Sequence, residues 1–135
     1  MPRNGLIDSG ALVAWLDPRE EHHGWARETL LGLGGPFFTC EAVLSEAFFL
    51  LSEPHSLALE KLLRQGHVGI GLNLAQELPA VPDLVNQYAT VPMSLADACL
   101  VRMTEILPDS VVITTGSDFK IYRRHRRLVV PCLMP

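Results

Sequence analysis

Three acidic residues stand in segments that are otherwise apolar. Asp8 directly follows the apolar run Asn4–Ile7 and precedes a helical pattern. Glu46 interrupts the run "AVLSEAFFLL", and Asp97 is the only charged residue in "SLADACLV". Burying an isolated carboxylate is costly or forces the group to become neutral. We therefore expect these three acids to meet a partner in the folded chain.

Each of these acids also has a purely structural interpretation. Asp8 and Ser9 together can form the turn into the first helix. Asp97 lies three residues after Ser94, in an S-x-x-D pattern similar to a capping box. Glu46 lies in mid-helix with no Lys or Arg within four positions, so its alternative is a side chain that reaches solvent. The functional interpretation rests on the three acids taken together.

Carboxylates without cationic neighbours in sequence predict a site for a hard divalent metal ion. Mg²⁺ and Mn²⁺ prefer oxygen ligands, and such an ion relieves the repulsion between clustered acids. Sites of this kind support phosphodiester hydrolysis, because the metal activates a water and stabilises the leaving oxygen. Five histidines without metal-ligand spacing are interpreted as surface residues: His22, His23, His55, His67 and His125.

The elements that must position these acids alternate between apolar β-rich runs and helical patterns. This alternation predicts an α/β fold, a three-layer sandwich with a short, mostly parallel central sheet of about five strands, in one domain over residues 1–135. In such a sheet a residue just after a strand lies at the carboxyl edge, where ligand sites form. We expect Ser9 to cap the first helix. The other segments expected to be regular are helices at His22–Leu33, Glu41–Glu53, 55–66, 74–89 and Met93–Leu107, and strands at Phe37–Thr39, His67–Asn73, 111–115 and 128–133.

Composition places the chain among globular proteins. Its 135 residues are 48% hydrophobic and 19% charged, which suits one domain with its own core. The three cysteines are far apart and lack ligand spacing, so we expect reduced core residues of a cytoplasmic protein. No apolar run approaches the ~20 residues of a membrane span, and the first residues do not resemble a signal peptide.

The net charge of −4 is unevenly distributed. Residues 1–119 carry all 15 acidic residues and 6 of the 11 basic ones, and residues 120–135 carry the other 5 basic residues. An acidic protein is a poor non-specific binder of nucleic acid. A basic segment beside an acidic cleft can still hold a polyanion, although a solvated surface segment would look the same.

Four segments together resemble a known family. In order, "LIDSGALVAWLD", "TCEAVLSEAFFLL", "VPMSLADACLVRM" and "VVITTGSDFKIYRRH" look like the PIN domain, in its short members related to the VapC toxins of prokaryotic toxin–antitoxin pairs. The resemblance covers essentially the whole chain. It implies a parallel α/β sandwich with an acidic ribonuclease site, dependent on Mg²⁺ or Mn²⁺, at the carboxyl edge of the sheet.

The resemblance also assigns roles to individual residues. Asp8 matches the acid that ends the first strand, Glu46 the acid in the helix after the second strand, and Asp97 the acid at the start of the "ADA" helix. These acids are expected to bind one or two metal ions. Thr115 matches a hydroxyl near the metal, and Ser9 is expected to support Asp8.

The chain departs from the family pattern at Gly116. Family members commonly place an acid there, three residues before the phenylalanine that is Phe119 in this chain. Asp118 is retained just before that phenylalanine. Either Asp118 reaches the metal, or three carboxylates suffice, or this copy is weakened. We favour an active site with altered metal affinity and include Asp118 among the catalytic residues.

The function implied is that of a metal-dependent endoribonuclease, the toxin of a toxin–antitoxin pair. The resemblance further implies a homodimer and an antitoxin whose tail covers the acidic cleft. Tyr122 is expected to stack on RNA. Basic residues expected to hold the RNA backbone are Lys120, Arg123, Arg124, Arg126 and Arg127. Apolar side chains proposed for protein contacts are Trp15, Trp25, Phe48 and Phe49, of which the two phenylalanines fit a core position better.

Two other classes of function remain. A PIN fold that has lost catalysis would serve as an RNA-binding or interaction module. A phosphoacceptor signalling domain also has an acid at a strand end, but it requires an adjacent acidic pair there and a lysine after a late strand. The residues before Asp8 are apolar, and the only lysines are Lys61 and Lys120, so the sequence disfavours the signalling domain.

Overall fold

A five-stranded parallel sheet forms the centre of the protein. The computed structural model describes residues 4–135. The strands of the sheet run in the order β3-β2-β1-β4-β7, and six helices flank it, which confirms the predicted α/β three-layer sandwich. The strands are β1 (Asn4–Ile7), β2 (Phe37–Thr39), β3 (Val68–Ile70), β4 (Ser110–Ile113), β5 (Arg123–Arg124), β6 (Leu128–Val129) and β7 (Cys132–Leu133). The helices are α1 (Ser9–Leu16), α2 (His23–Leu33), α3 (Glu41–Leu50), α4 (His55–Arg64), α5 (Ala80–Gln87) and α6 (Leu95–Ile106), with a 3₁₀ turn at Asp118–Lys120.

The two central strands are buried on both faces, which explains their sequence. β1 and β4 pair in parallel along their whole length, from Asn4 opposite Ser110 to Ile7 opposite Ile113. A strand covered by helices on both sides is apolar throughout and does not alternate with polar residues. Leu6, Ile7 and the apolar residues of β4 are accordingly buried. The pairing brings the ends of β1 and β4 to the same edge of the sheet.

Several helix and strand boundaries differ from the predicted ones. α3 ends at Leu50, three residues before the predicted end, since Glu53 precedes Pro54 and a residue before proline avoids the helical region. α5 begins only at Ala80, and Pro82 lies in its first turn, where the missing N–H costs no helical hydrogen bond. β3 is three residues long. The last predicted strand is split into β6, which pairs with β5, and β7, which pairs with β4.

The helix caps correct one prediction and confirm another. Asp8, and not Ser9, is the N-cap of α1, since its side chain accepts the Ser9 backbone N–H and Ser9 is already helical. Ser94 caps α6 and accepts the backbone N–H of Asp97 at 3.0 Å, as the S-x-x-D pattern predicts. Gly66 follows α4 with a φ of 78°, the left-handed conformation that favours glycine.

The core agrees with the expectation for the cysteines. Cys40 and Cys99 are buried, Cys132 is half-buried, and all three are free thiols. Among residues 4–135, no helix is long and apolar enough to cross a membrane.

Thr39 offers a test of how the strand ends are joined. Its buried hydroxyl donates to the backbone carbonyl of Ile7 at 2.9 Å and so links the end of β2 to the end of β1. We expect Thr39→Val to lower the free energy of unfolding by about 1–2 kcal/mol, because the carbonyl loses a donor at a buried position. Chemical denaturation measures this change. Thr90→Val, the same change at an exposed position, is the control, and equal effects of the two would contradict the role of Thr39.

Candidate functional site

Asp8 lies at the carboxyl edge of the sheet, where its carboxylate is held on both oxygens. Ile7 and Ile113 are the last paired residues of β1 and β4, so Asp8 and Thr114 leave the sheet side by side. The Thr114 hydroxyl donates to Oδ2 of Asp8 at 2.9 Å, and the Ser9 backbone N–H donates to Oδ1 at 2.8 Å. Both donors are neutral. They fix the orientation of the carboxylate and leave its negative charge in place.

The charges of other predicted acids affect the pKa of Asp8. The pKa of Asp8 is raised from 3.8 to about 6 in total. Burial is the largest cause, the hydrogen bonds from Thr114 and Ser9 act in the opposite direction, and the negative charges of Asp97 and Glu46 add smaller increases. Burial also raises the pKa of Asp97, and the negative charge of Asp118 adds to this increase. Acids that are far apart in sequence therefore act on each other in one site.

These acids divide into an inner and an outer pair. Asp8 and Asp97 are partly buried and hydrogen-bonded, with Oδ2 of Asp97 receiving the Tyr122 hydroxyl at 3.0 Å. Glu46 on α3 and Asp118 in the 3₁₀ turn are exposed. The exposure of Glu46 agrees with the alternative that its side chain reaches solvent. Its negative charge nevertheless raises the pKa of Asp8.

No basic side chain neutralises this group within residues 4–135, since none of its four members forms an ion pair there. Asp17, at the other end of α1, shows the contrasting case. The Arg19 guanidinium, 3.0 Å from its Oδ2, lowers the pKa of Asp17 to about 2, and His55 adds a smaller effect. Asp17 was not singled out from the sequence, and its pairing marks it as structural.

The chemistry of the acidic group suits a divalent cation. Its donors are carboxylate oxygens, which Mg²⁺ and Mn²⁺ prefer, and its negative charge is uncompensated. In the described part of the chain, however, no three His, Cys, Asp or Glu side chains converge into a ready-made metal-binding group. The exposed Glu46 and Asp118 are the side chains that would have to turn inward to complete a ligand set.

Of the two threonines that follow β4, Thr114 is the one whose hydroxyl contacts Asp8, whereas the sequence had indicated Thr115. Thr115 lies against Gly10 of α1, where an added Cβ would collide with the Thr115 Oγ1. The threonine next to Asp8 comes one position earlier than predicted because β4 ends at Ile113, two residues before the predicted end of this strand. The register of the strand pair is the signal that would have identified Thr114.

Gly116 occupies a position where a side chain is tolerated. The residue is exposed, and its N–H donates to the Thr114 Oγ1 at 3.1 Å. Among the described residues, a Cβ added to Gly116 would meet that oxygen alone, at 3.7 Å, and the φ of Gly116 lies outside the left-handed region. The slot that the resemblance assigns to an acid thus adjoins the contact between Thr114 and Asp8.

The basic segment forms a hairpin that packs on α5 and α6. The N–H of Arg123 donates to the Tyr88 hydroxyl at 2.7 Å, and the N–H of His125 donates to Glu105 at 2.6 Å. His125 and Arg126 both have positive φ, 48° and 69°, which is unusual for residues other than glycine. They border a cleft of about 880 Å³ between the hairpin and the two helices.

The predicted RNA-binding residues differ in their availability. Lys120, Arg126 and Arg127 are exposed, and Arg124 is half-buried. One terminal nitrogen of Arg123 instead lies within 2.7 to 3.2 Å of three backbone carbonyls, so this guanidinium supports the loop.

Tyr122 was expected to stack on RNA, and this prediction is wrong. Its side chain is fully buried, with edge-to-face contacts to Tyr88 and Phe119 at ring-centroid distances of 5.1 and 5.4 Å. An aromatic residue in the core has no free face for a base.

The expectation for the two phenylalanines is also wrong, because both lie at the surface. Phe49 is 88% exposed and Phe48 39%, next to the exposed Leu50 on α3. Trp15 is half-buried and packs edge-to-face on Phe37, with ring centroids 5.8 Å apart. Trp25 is half-buried on α2.

Comparison of the chain with models of known protein families finds no match, and comparison with curated proteins finds none either.

The raised pKa of Asp8 predicts how stability depends on pH. The folded protein holds this proton more tightly than the unfolded chain, so the free energy of unfolding falls as pH rises from about 4 to about 6. We expect Asp8→Asn, measured in EDTA, to raise the free energy of unfolding at pH 7 by about 1–3 kcal/mol. The gain should largely disappear at pH 4, where the native aspartate is protonated in the folded state.

Denaturant titrations at the two pH values test this prediction. Asp83→Asn, on the exposed part of α5, is the matched control and should show no such difference. An Asp8→Asn variant that is equally or less stable than the native protein at pH 7 would contradict the proposed burial of charge.

Proposed function

We propose that this protein is a metal-dependent endoribonuclease of the PIN type, which hydrolyses RNA phosphodiester bonds. The observation that carries the proposal is the acidic group at the carboxyl edge of the sheet. The charges of Glu46 and Asp97 raise the pKa of Asp8, the charge of Asp118 raises that of Asp97, and none of the four acids is paired with a cation in the described chain. A purely structural acid would be expected to have a partner such as Arg19 provides for Asp17.

The group suits the binding of one or two Mg²⁺ or Mn²⁺ ions by Asp8, Glu46, Asp97 and Asp118. When bound, such an ion activates a water as nucleophile and stabilises the leaving oxygen. The chain's own contribution is orientation. Thr114 and the Ser9 N–H keep the Asp8 carboxylate in one position at the edge of the sheet.

The basic segment supports a polyanionic substrate. Lys120 follows Asp118 in the same 3₁₀ turn, and its exposed ammonium group can contact a phosphate near the acids. Arg126 and Arg127 extend this positive charge along the hairpin. Phosphate contacts of this kind position a nucleic acid without reading its sequence. The choice of RNA as substrate rests on the family resemblance.

We further propose that the protein is the homodimeric toxin of a toxin–antitoxin pair. The exposed apolar side chains Phe48, Phe49 and Leu50 on α3 support a protein partner, because contiguous exposed apolar surface is typical of interaction sites. Leu57 on α4 is also exposed. An antitoxin tail over the acidic cleft would suppress activity by occupying the substrate site.

A second candidate function is a PIN fold with weakened catalysis that binds RNA or a protein. Two observations favour it: glycine stands at position 116, where the resemblance expects an acid, and no three metal-binding side chains converge within residues 4–135. Metal or RNA binding without cleavage would support this candidate.

Cleavage of RNA is the direct test. We expect purified protein to cut labelled single-stranded RNA in Mn²⁺ or Mg²⁺ and to lose this activity in EDTA. Asp8→Asn should lower the rate of cleavage by about 100-fold or more. Removing a residue that only orients a metal ligand already lowers metal affinity or activity 10–100-fold, and Asp8 is proposed to bind the metal directly. Asp83→Asn should retain the native rate. Cleavage that survives Asp8→Asn would exclude the proposed site.

Gly116→Asp tests the missing acid. The position is open and its backbone is relaxed, so the variant should fold like the native protein. We expect it to bind Mn²⁺ several-fold more tightly by calorimetry, because a fifth carboxylate would stand beside Asp8. Gly116→Asn supplies a similar shape without the charge and is the control. An unchanged metal affinity in Gly116→Asp would mean that this slot does not face the metal.

A further inference from the structure

The Tyr122 hydroxyl lies between two oxygen acceptors at the acidic site. It is 3.0 Å from Oδ2 of Asp97 and 3.2 Å from the backbone carbonyl of Pro92. The ring is fully buried, and its contacts with Tyr88 and Phe119 fix where the hydroxyl stands. The position of this oxygen is therefore set by the core and not by solvent.

A tyrosine hydroxyl has a single hydrogen to donate, and neither of the two acceptors has one to give when Asp97 is ionised. A carboxylate is the stronger acceptor, because hydrogen bonds to charged groups are shorter and stronger than those between neutral groups. The hydrogen therefore goes to Asp97. Pro92 is exposed, so its carbonyl can accept a hydrogen bond from water instead.

This donation has the same character as the one at Asp8. Thr114 holds one oxygen of Asp8 with a neutral hydroxyl, and Tyr122 does the same for Asp97. In each case the carboxylate is oriented without being neutralised. An arginine or lysine at either place would orient the acid as well, but it would compete with a cation for the charge.

Tyr122 also joins the acidic site to the basic hairpin. Its N–H donates to the carbonyl of Asp118 at 3.3 Å, and the next residue, Arg123, donates its N–H to the Tyr88 hydroxyl. The tyrosine thus stands at the point where the turn carrying Asp118 ends and the hairpin begins.

We propose that Tyr122 is a positioning residue that orients the Asp97 carboxylate for cation binding. The inference rests on the proposed metal-dependent function and assigns to this tyrosine a role besides core packing. Tyr122 touches no substrate, and it acts only through Asp97. Groups that orient metal ligands in this way typically account for 10–100-fold in metal affinity or activity.

Tyr122→Phe is the test, because it removes the hydroxyl and keeps the buried ring. We expect Mn²⁺ affinity, measured by calorimetry, to fall about 10-fold. The rate of RNA cleavage should fall at subsaturating Mn²⁺ and recover in part as Mn²⁺ is raised. Tyr88→Phe is the matched control: it also removes a hydroxyl from the same aromatic group, but that hydroxyl serves Arg123. Its Mn²⁺ affinity should stay within about twofold of the native value.

A double-mutant cycle separates orientation of Asp97 from general loosening of the core. In an Asp97→Asn background, Tyr122→Phe should have little further effect on Mn²⁺ affinity, since the two changes then act on one interaction. Equal effects of Tyr122→Phe with and without Asp97 would overturn the inference, as would a Tyr122→Phe variant that binds Mn²⁺ like the native protein.

A measurement without metal keeps this inference distinct from the proposed function. In EDTA, the carboxyl ¹³C resonance of Asp97, assigned with Asp97→Asn, should move in Tyr122→Phe and stay in place in Tyr88→Phe. A resonance unmoved in Tyr122→Phe would overturn the inference even in an active ribonuclease. Failure of the native protein to bind Mn²⁺ would instead remove the proposed function and, with it, the role in cation binding.

Discussion

The site depends on one constraint, the parallel pairing of β1 with β4. Because Ile7 and Ile113 are the last paired residues, Asp8 and Thr114 emerge together at the carboxyl edge. The start of α1 adds the Ser9 N–H on the other oxygen of Asp8. Strand pairing and a helix cap thereby fix one carboxylate at a partly buried position. The remaining acids stand on α3, α6 and the 3₁₀ turn.

This arrangement places stability and function in opposition. Burial raises the pKa of Asp8, which means that holding it ionised at neutral pH destabilises the fold. Within residues 4–135, Asp8 receives a hydroxyl and a backbone N–H and forms no ion pair, whereas Arg19 pairs with Asp17 at the other end of the same helix. An energetic cost for keeping an acid ionised is expected at a site that binds a positively charged ligand, because the ligand offsets this cost.

The sequence predicted the α/β architecture and singled out the candidate acids because both are visible in local sequence patterns. Asp8, Glu46 and Asp97 stood out as charges in apolar surroundings, and alternating patterns indicated the α/β fold. The supporting residues depend on tertiary geometry. Thr114 and Thr115 are adjacent and chemically alike, and only the strand register distinguishes them. The exposed Phe49 lies in a largely apolar helix whose buried residues are Val43, Leu44 and Ala47, so its apolar character alone did not show that it faces outward.

The division between inner and outer acids bears on what Gly116 means. Asp8 and Asp97 are held by hydroxyls from Thr114 and Tyr122, so their geometry persists without a ligand. Glu46 and Asp118 are exposed, so ordering them costs side-chain entropy when a cation binds. An acid at position 116 would stand next to Thr114, whose hydroxyl already accepts the Gly116 N–H and donates to Asp8. In the proposed metal site, glycine at this position would leave out a ligand on the better-ordered side, and we expect it to lower the metal affinity while leaving the position of Asp8 unchanged.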